Sequence, residues 1–390
     1  MWSRLSELSD RGACQKSFEG SFTSAQTRFF QQLILSFKVP EIQRQARIAL
    51  RAGKCVVIGF QSTGDAAVTA ALGKTNNAAA ASSGPKTSGS LVSAAREVME
   101  QLLSNLESKQ NATPLGSYEL SGIKRILMGK ADALNLPPAA LDALIEYFGV
   151  EHVAEMTGRQ KRLLKMADGS YEYVSRAEKG VPLQKINLRE RARFQKGEKL
   201  IAILSDAGAT GVSLHADNKA GNQRRRFHIV PELGWSASKI VQQFGRSHRT
   251  NQLTPPEYCL MTCECAGEAL VGSAVARKLE GLGALTKGDK TAGRGETGGL
   301  GTNFETKIGS DALTKLKNSI FFQGFKPVKD EVNVDDDDDD VDAARMYKLG
   351  SVILSGRENS LIRSCSTVKQ FLTRLQLLPY NNQQSVLKSF

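Results

Sequence analysis

The chain has 390 residues, 41% of them hydrophobic and 24% charged. That is a globular mix, long enough for two to three domain-sized units, and it excludes a collagen, a mini-protein or a wholly disordered tail. Lysine and arginine number 52 against 40 acids, for a net +12, but nine of the acids lie between Asp330 and Asp342, and setting those nine aside raises the balance to +21. A basic surplus of that size points to a polyanionic partner, because each cation that meets a phosphate releases condensed counterions; solubility alone is the competing reading.

A helical pattern opens near Ser24, is interrupted at Pro40 and closes at Gly53 in a C-cap position. CVVIGF (55–60) follows as a continuous apolar run of the kind buried on both faces of a parallel sheet, and it ends in the polar turn QSTGD. From 73 to 93 the composition turns to Ala, Ser, Asn, Gly and Lys and predicts an inserted loop. Helices are expected at 94–106 and after Pro137 and Pro138, then a short strand and basic loop in HVAEMTGRQKRLLK and a charged helix in NLRERARFQKGEK. Three more strands are expected at 201–205, 225–230 and 257–263, with SASKIVQQFGRSHR as a helix between the last two. The alternation is α/β grammar from about residue 22 to 285. Beyond it come a Gly-rich stretch at 286–302, a helix near 311–322, the unbroken Asp335 to Asp340 run and amphipathic pieces to Phe390.

No apolar run approaches the roughly 18 to 20 residues needed to cross a bilayer, and the first twenty residues lack the apolar region of a signal peptide. The expectation is a cytosolic or nuclear protein with no membrane partner. Six scattered cysteines do not make a disulfide framework. Among them Cys259, Cys263 and Cys265 form C-x3-C-x-C, a spacing that suits strand packing better than zinc. No metal site is expected. His215 and His228 have no nucleophile or carboxylate partners in a triad pattern, and no aromatic platform for RNA is apparent.

The stretch from Lys199 to Cys265 carries the chemistry. A Gly-rich turn after a strand, Gly208 to Gly211, lets backbone amides approach a phosphate, with Thr210 and Ser213 as further donors. Arg246 and Arg249, three apart on a helix, share one face and can reach the γ-phosphate of a nucleotide held by an opposing lobe. The planar guanidinium fork suits that task better than an ammonium does. Arg224, Arg225 and Arg226 begin a strand, where phosphate contact and plain solubility are both open.

These residues, with FTSAQTRFF, GKCVVIGFQSTGDA, VAEMTGR, GEKLIAILSDAGATGVSLHAD, NQRRRFHIVPELGWSASKIVQQFGRSHRTNQ and KLEGLGALTKGD in order, resemble the second RecA-like lobe of superfamily two helicases, and more narrowly the C-terminal helicase domain of the strawberry notch family. The resemblance covers about residues 22–290, leaving 1–21 as an N-terminal extension and 291–390 as Gly-rich linker, Asp-rich segment and helical tail. It implies one RecA-like α/β lobe with a mostly parallel central sheet, helices on both faces and a partly disordered helical tail. It makes Arg246 and Arg249 arginine fingers, with Gln242 and Gln252 beside them and Gly208 and Gly211 near the nucleotide. Gln61, Ser62, Thr63, Thr157, Gly158, Arg159, Thr210 and Ser213 become nucleic-acid contacts, although ordinary turn chemistry explains several of them equally well. A nuclear protein acting on chromatin DNA and regulating transcription is implied, with histones or transcription regulators as further partners.

A complete motor also needs a phosphate-cradling loop and an acidic pair for magnesium. The one Gly-Lys-Thr, Gly73 to Thr75, has Val68 where the loop requires glycine, and no D-E-x-[DH] box occurs. The Asp run reads as a solvated acidic segment, with histone-like or intramolecular basic contacts as the other reading. The chain is thus expected to be either part of a longer protein or a lobe completed in trans, binding no cofactor in isolation and needing ATP and Mg2+ only with a first lobe. An ATP-independent protein or RNA interaction module is the alternative from another class.

Overall fold

A computed structural model of the chain describes residues 15–61, 86–87, 91–110, 114–176, 183–206, 208, 211–234, 237–281, 304, 306–322, 347–349, 352–354, 362–376, 378 and 380–390. The N-terminal extension as far as residue 14, nearly all of the expected insertion at 73–93, the Gly-rich stretch from 286 and the Asp335 to Asp340 run lie outside these residues. The chain divides into two compact units, one formed by 1–232 and 243–260, the other by 233–242 and 261–390.

In the first unit, helix α1 (Gln15–Arg51) leads into β1 (Cys55–Phe60). The expected break at Pro40 does not occur, and the helix runs through it. An internal proline forfeits one backbone hydrogen bond and costs about 3 kcal/mol, but Leu35, Val39, Ile42, Ala46 and Ala49 are all buried on either side of it. Packing of that stripe outweighs the local penalty. At the end of the helix Gly53 adopts φ +72° and its N–H donates to Leu50 O, as a C-terminal cap requires.

The short β2 (Lys86–Thr87) precedes α2 (Ala94–Gln110), α3 (Pro114–Ala133) and α4 (Ala140–Phe148). Then come β3 (Val153–Met156), β4 (Lys161–Lys165) and β5 (Tyr171–Ser175). β4 and β5 form a hairpin where a basic loop was expected, and β2 adds a third antiparallel strand to it. Leu163 is the one buried position of β4 and packs with buried Tyr171 and Tyr173, while Asp168-Gly169 makes the turn, with Gly169 at φ +80°.

Next in order are α5 (Leu183–Lys196), β6 (Ile201–Ser205), β7 (Arg226–Val230), α6 (Ala237–Ser247), of which residues 243–247 belong to this unit, and β8 (Glu257–Leu260). Five strands make one sheet in the order β3-β6-β1-β7-β8, parallel throughout. The apolar run of β1, the strand β6 and β3, which includes Glu155, are buried at every position. Cys55, Val57, Ala154, Met156, Ala202 and Leu204 pack with Phe194 of α5 and with Val212 and Leu214 on one face, while α1 packs against β1 and β7. This is the RecA-like α/β lobe that the pattern implied.

The second unit contains α7 (Ala266–Gly281), α8 (Lys307–Phe322), the antiparallel pair β9 (Tyr347–Leu349) and β10 (Val352–Leu354), α9 (Val368–Leu375) and α10 (Tyr380–Ser389). Leu313, Leu316, Ile362, Phe371, Leu372, Leu375 and Val386 form its own core, and the Thr367 hydroxyl accepts from Gln370 N to cap α9. Among the described residues no helix is long and apolar enough to cross a membrane.

Candidate functional site

Because the five strands run the same way, the sheet has two distinct edges, and the expected site residues divide between them. At the C-terminal edge lie the turns after β1, β3 and β6. Gln61 is half-buried there; its backbone N–H donates to Glu232 Oε2 at 3.2 Å and its side-chain amide to Glu232 O at 3.3 Å. Gly208 sits against the turn after β3, so closely that a Cβ would lie 2.5 Å from Met156 O and from Thr157 Cα. Gly158 is exposed, as is Gly211 with φ +73°. Ser62, Thr63 and Thr210 fall outside the described residues.

Two residues expected to touch nucleic acid at this edge do something else. Thr157 is 1% exposed and its hydroxyl donates to Glu155 Oε1 at 2.6 Å. Arg159 is buried as well, donating from Nε to Glu155 Oε1 at 2.6 Å and from Nη1 to Asp142 Oδ1 at 2.5 Å. Arg176 completes the cluster: Nη2 reaches Glu155 O at 2.6 Å and Nη1 reaches Arg159 O at 2.8 Å. Two carboxylates and two guanidiniums neutralise each other beneath the turn, so Arg159 holds the turn in place and is not available to a phosphate. Burial pushes the Asp142 carboxyl above its ordinary value despite Arg159, whereas Arg159 and Arg176 together overcome burial and hold Glu155 below its ordinary value.

The Arg224 to Arg226 cluster belongs to the opposite, N-terminal edge. Arg224 is exposed. Arg225 is also exposed but is bound to Pro255 O at 2.9 Å and to Glu257 Oε1 at 2.9 Å. Arg226 is 1% exposed and donates to Leu214 O at 2.8 Å, Gln195 Oε1 at 2.9 Å, Asn222 O at 2.9 Å and His215 O at 3.2 Å, with a further bond to Arg224 O. Its expected role at a phosphate is therefore corrected: as the first residue of β7 it points to the same face as buried His228, and its donors are spent on the chain segment that follows Gly211. Ser213 is buried in that segment, its carbonyl accepting from Arg191 Nε and Gln195 Nε2, each at 3.2 Å.

This segment meets the end of α6 at the same edge. Leu214 N donates to Arg246 O at 2.7 Å, Leu253 N to Ala216 O at 2.9 Å and Asn218 N to Asn251 O at 3.2 Å, and Asp217 and Gln252 form an antiparallel bridge. Arg246 is half-buried and its Nη1 makes one long bond, 3.5 Å, to Val212 O. Arg249, expected to share a helix face with Arg246, instead lies beyond the end of α6 at Ser247 and is exposed; its backbone N–H donates to Gln252 Oε1 at 3.1 Å, and among the described residues its guanidinium has no partner. Gln242 is exposed on α6.

Near the end of α6, His228 is fully buried with Nδ1 2.8 Å from Ser247 Oγ, and burial lowers its pKa to about 3. The fit between β1 and β7 is close here: a Cβ on Gly59 would lie 3.1 Å from His228 Nε2. His215 is also lowered, first by burial, with Arg249 and Arg226 adding to the effect against Asp217, whose Oδ2 lies 3.4 Å away. Cys259, Cys263 and Cys265 are half-buried thiols, and among the described residues no group of three His, Cys, Asp or Glu is placed to hold a metal ion.

A family model described as the C-terminal domain on strawberry notch homologues matches residues 139–390. The match continues through the tail, where the resemblance had been expected to stop near 290. Strawberry notch homolog 1 of Rattus norvegicus is 37% identical over 382 residues, covering 78% of this chain and 30% of that protein. Homolog 2 of Mus musculus is 34% identical over 461 residues, covering 96% of this chain and 34% of that protein. Strawberry notch of Drosophila melanogaster is 39% identical over 275 residues, covering 69% of this chain and 16% of that protein. The chain thus spans about a third or less of the length of these relatives. No solved structure matches it. With the sheet, the two joined segments and the paired arginines in place, the chain belongs to the strawberry notch family and carries its C-terminal helicase domain.

Proposed function

We propose that this lobe supplies arginine fingers to a nucleotide held by the phosphate-loop lobe of a DNA-dependent motor. The observation that carries the reading is the pairing of 214–218 with 246–253, which holds the Arg249 backbone while leaving its guanidinium exposed and, among the described residues, uncommitted. A guanidinium presented in this way fits an anionic phosphoryl oxygen. The residues that bind magnesium and cradle the phosphates belong to the other lobe, since this sequence has neither a phosphate loop nor an acidic box. When bound there, ATP with Mg2+ supplies the phosphoryl chemistry; Arg249 and Arg246 neutralise its developing charge.

The basic surplus of the chain supports a polyanionic track, and contact to the backbone rather than to base edges makes it weakly sequence-specific. The family resemblance extends this to chromatin DNA in the nucleus and to regulation of transcription, with histones or transcription regulators as partners. The test joins this lobe to the phosphate-loop lobe in one polypeptide and measures DNA-stimulated ATP turnover. Arg249→Ala is expected to lower turnover by about a thousandfold or more without moving the melting temperature. Turnover surviving that substitution removes the finger assignment.

A further inference from the structure

Arg249 lies on a loop, yet a finger works only if its backbone is in place before the nucleotide arrives. The hydrogen bonds around Asn251 show how this is done. Its φ is +69°, in the left-handed region that asparagine tolerates better than other residues with a Cβ. That conformation turns its side chain onto Asn218, and the two amides form a reciprocal pair: Asn218 Nδ2 donates to Asn251 Oδ1 at 2.8 Å and Asn251 Nδ2 to Asn218 Oδ1 at 2.8 Å. The same Asn251 nitrogen donates to Asp217 Oδ1 at 3.2 Å. Asp217 closes its own turn by accepting from Lys219 N at 2.9 Å. Two backbone bonds, Asn218 N to Asn251 O and Leu253 N to Ala216 O, flank the side-chain cluster.

We propose that Asp217, Asn218 and Asn251 are positioning residues, a polar clamp that fixes the Arg249 loop on the segment after β6 so that the guanidinium is presented from a backbone already ordered. The assignment rests on the finger reading above and adds to it residues that do not touch the nucleotide. Arg249 is held from both sides, through Arg246 O to Leu214 on one and through Asn251 and Gln252 on the other. None of these contacts uses its guanidinium. The clamp therefore restricts where the side chain starts and leaves its donors for the phosphate.

The test has two arms. In the 390-residue chain, Asn218→Ala and Asn251→Gly each remove the amide pair, the second while keeping the left-handed backbone accessible. Hydrogen–deuterium exchange of the Arg249 and Leu253 amides is expected to accelerate about tenfold or more in both variants, as the loss of two side-chain hydrogen bonds in the first and three in the second implies. Unchanged exchange overturns the clamp. In the two-lobe protein both variants should lower kcat about tenfold with KM within twofold, and the double variant should lose little more, because the two residues share one interaction. If exchange accelerates while turnover stays at the wild-type level, the clamp does not position the finger. Should Arg249→Ala itself retain turnover, the finger reading has failed, and this is distinguishable because the exchange result stands apart from it.

Discussion

Replacing Arg159 by alanine separates a phosphate contact from a core support. The substitution deletes the bonds to Glu155 and Asp142, both of whose side chains are at most 3% exposed. Glu155 keeps Arg176 at 3.5 Å, while Asp142 is left without a cation among the described residues. Removing one partner of a buried ion pair costs about 3–5 kcal/mol, because the remaining charge is stranded. At about 2–4 °C per kcal/mol for a unit of this size, the melting midpoint should fall by roughly 6–20 °C. The loss should also depend on pH. The folded-state pKa of Asp142 already lies above its unfolded value, and it rises further without Arg159, so the variant is most stable below the unfolded pKa and weakens as pH rises through the folded one. Glu155, held low in the wild type, contributes stability that is lost on acidification. The Glu155 contribution fades only below its ordinary value of 4.5, so between pH 5 and pH 8 the Asp142 effect decides, and thermal melts followed by circular dichroism should differ more at pH 8 than at pH 5. A variant that melts within about 2 °C of wild type but loses DNA affinity would refute the reasoning.

Arg224→Ala with Arg225→Ala should weaken binding to a DNA duplex and reduce the slope of log affinity against log salt by about one to two, read by fluorescence anisotropy; an unchanged slope removes both residues from the interface. Arg226→Ala should instead lower stability by about 2–4 kcal/mol in urea melts, since it opens a set of buried carbonyls. His228 is charged in the unfolded chain below about pH 6.5 but in the folded chain only near 3. Acid therefore favours unfolding by up to about 1.4 kcal/mol per pH unit across that window, and His228→Gln should remove this slope in urea melts between pH 6.5 and 4. Gly208→Ala places a methyl 2.5 Å from Thr157 Cα and should cost about 1–3 kcal/mol, checked by the same melts; wild-type stability there would mean that the two turns do not touch.

The sheet was legible because β1 and β6 are apolar at nearly every position and polar turns bound them, a pattern that few other folds produce. In the tail the helix expected near 311–322 is α8, but the core was not legible, since it joins Leu313 to Phe371 and Val386 across long sequence separations that no local period reveals. Pro40 misled because a local propensity was set against packing that only the folded chain shows. The site was read in part. Arg246 and Arg249 were expected on one helix face, but α6 stops at Ser247 and leaves Arg249 beyond it, and Arg159 looked like a basic turn residue because its partner Asp142 lies seventeen positions upstream on α4. Arg226 could have been separated from Arg224 and Arg225: strand alternation places it with His228 and Val230, both buried, and on that face a cation needs acceptors. Asn251 and Asn218 carry no signal singly. Only the pairing of two segments more than thirty residues apart makes them a unit.

On the proposed reading, what separates an arginine that meets a phosphate from one that supports the fold in this lobe is how its donors are spent. A guanidinium offers five N–H groups in a fixed fork. Arg226 uses Nε and both terminal nitrogens on protein acceptors, and Arg159 does the same with two carboxylates. Arg246 spends one donor in a bond of 3.5 Å, the weakest of the set. Among the described residues Arg249 spends none, while its backbone is tied on both sides. A motif identifies all four as arginines near a phosphate-binding pattern; the donor count ranks them. The two saturated residues hold the turns at opposite edges of the sheet, so removing either should lower stability before it changes any phosphate affinity. The unsaturated pair can be removed with little structural loss, which is the behaviour expected of groups whose acceptor arrives with a ligand.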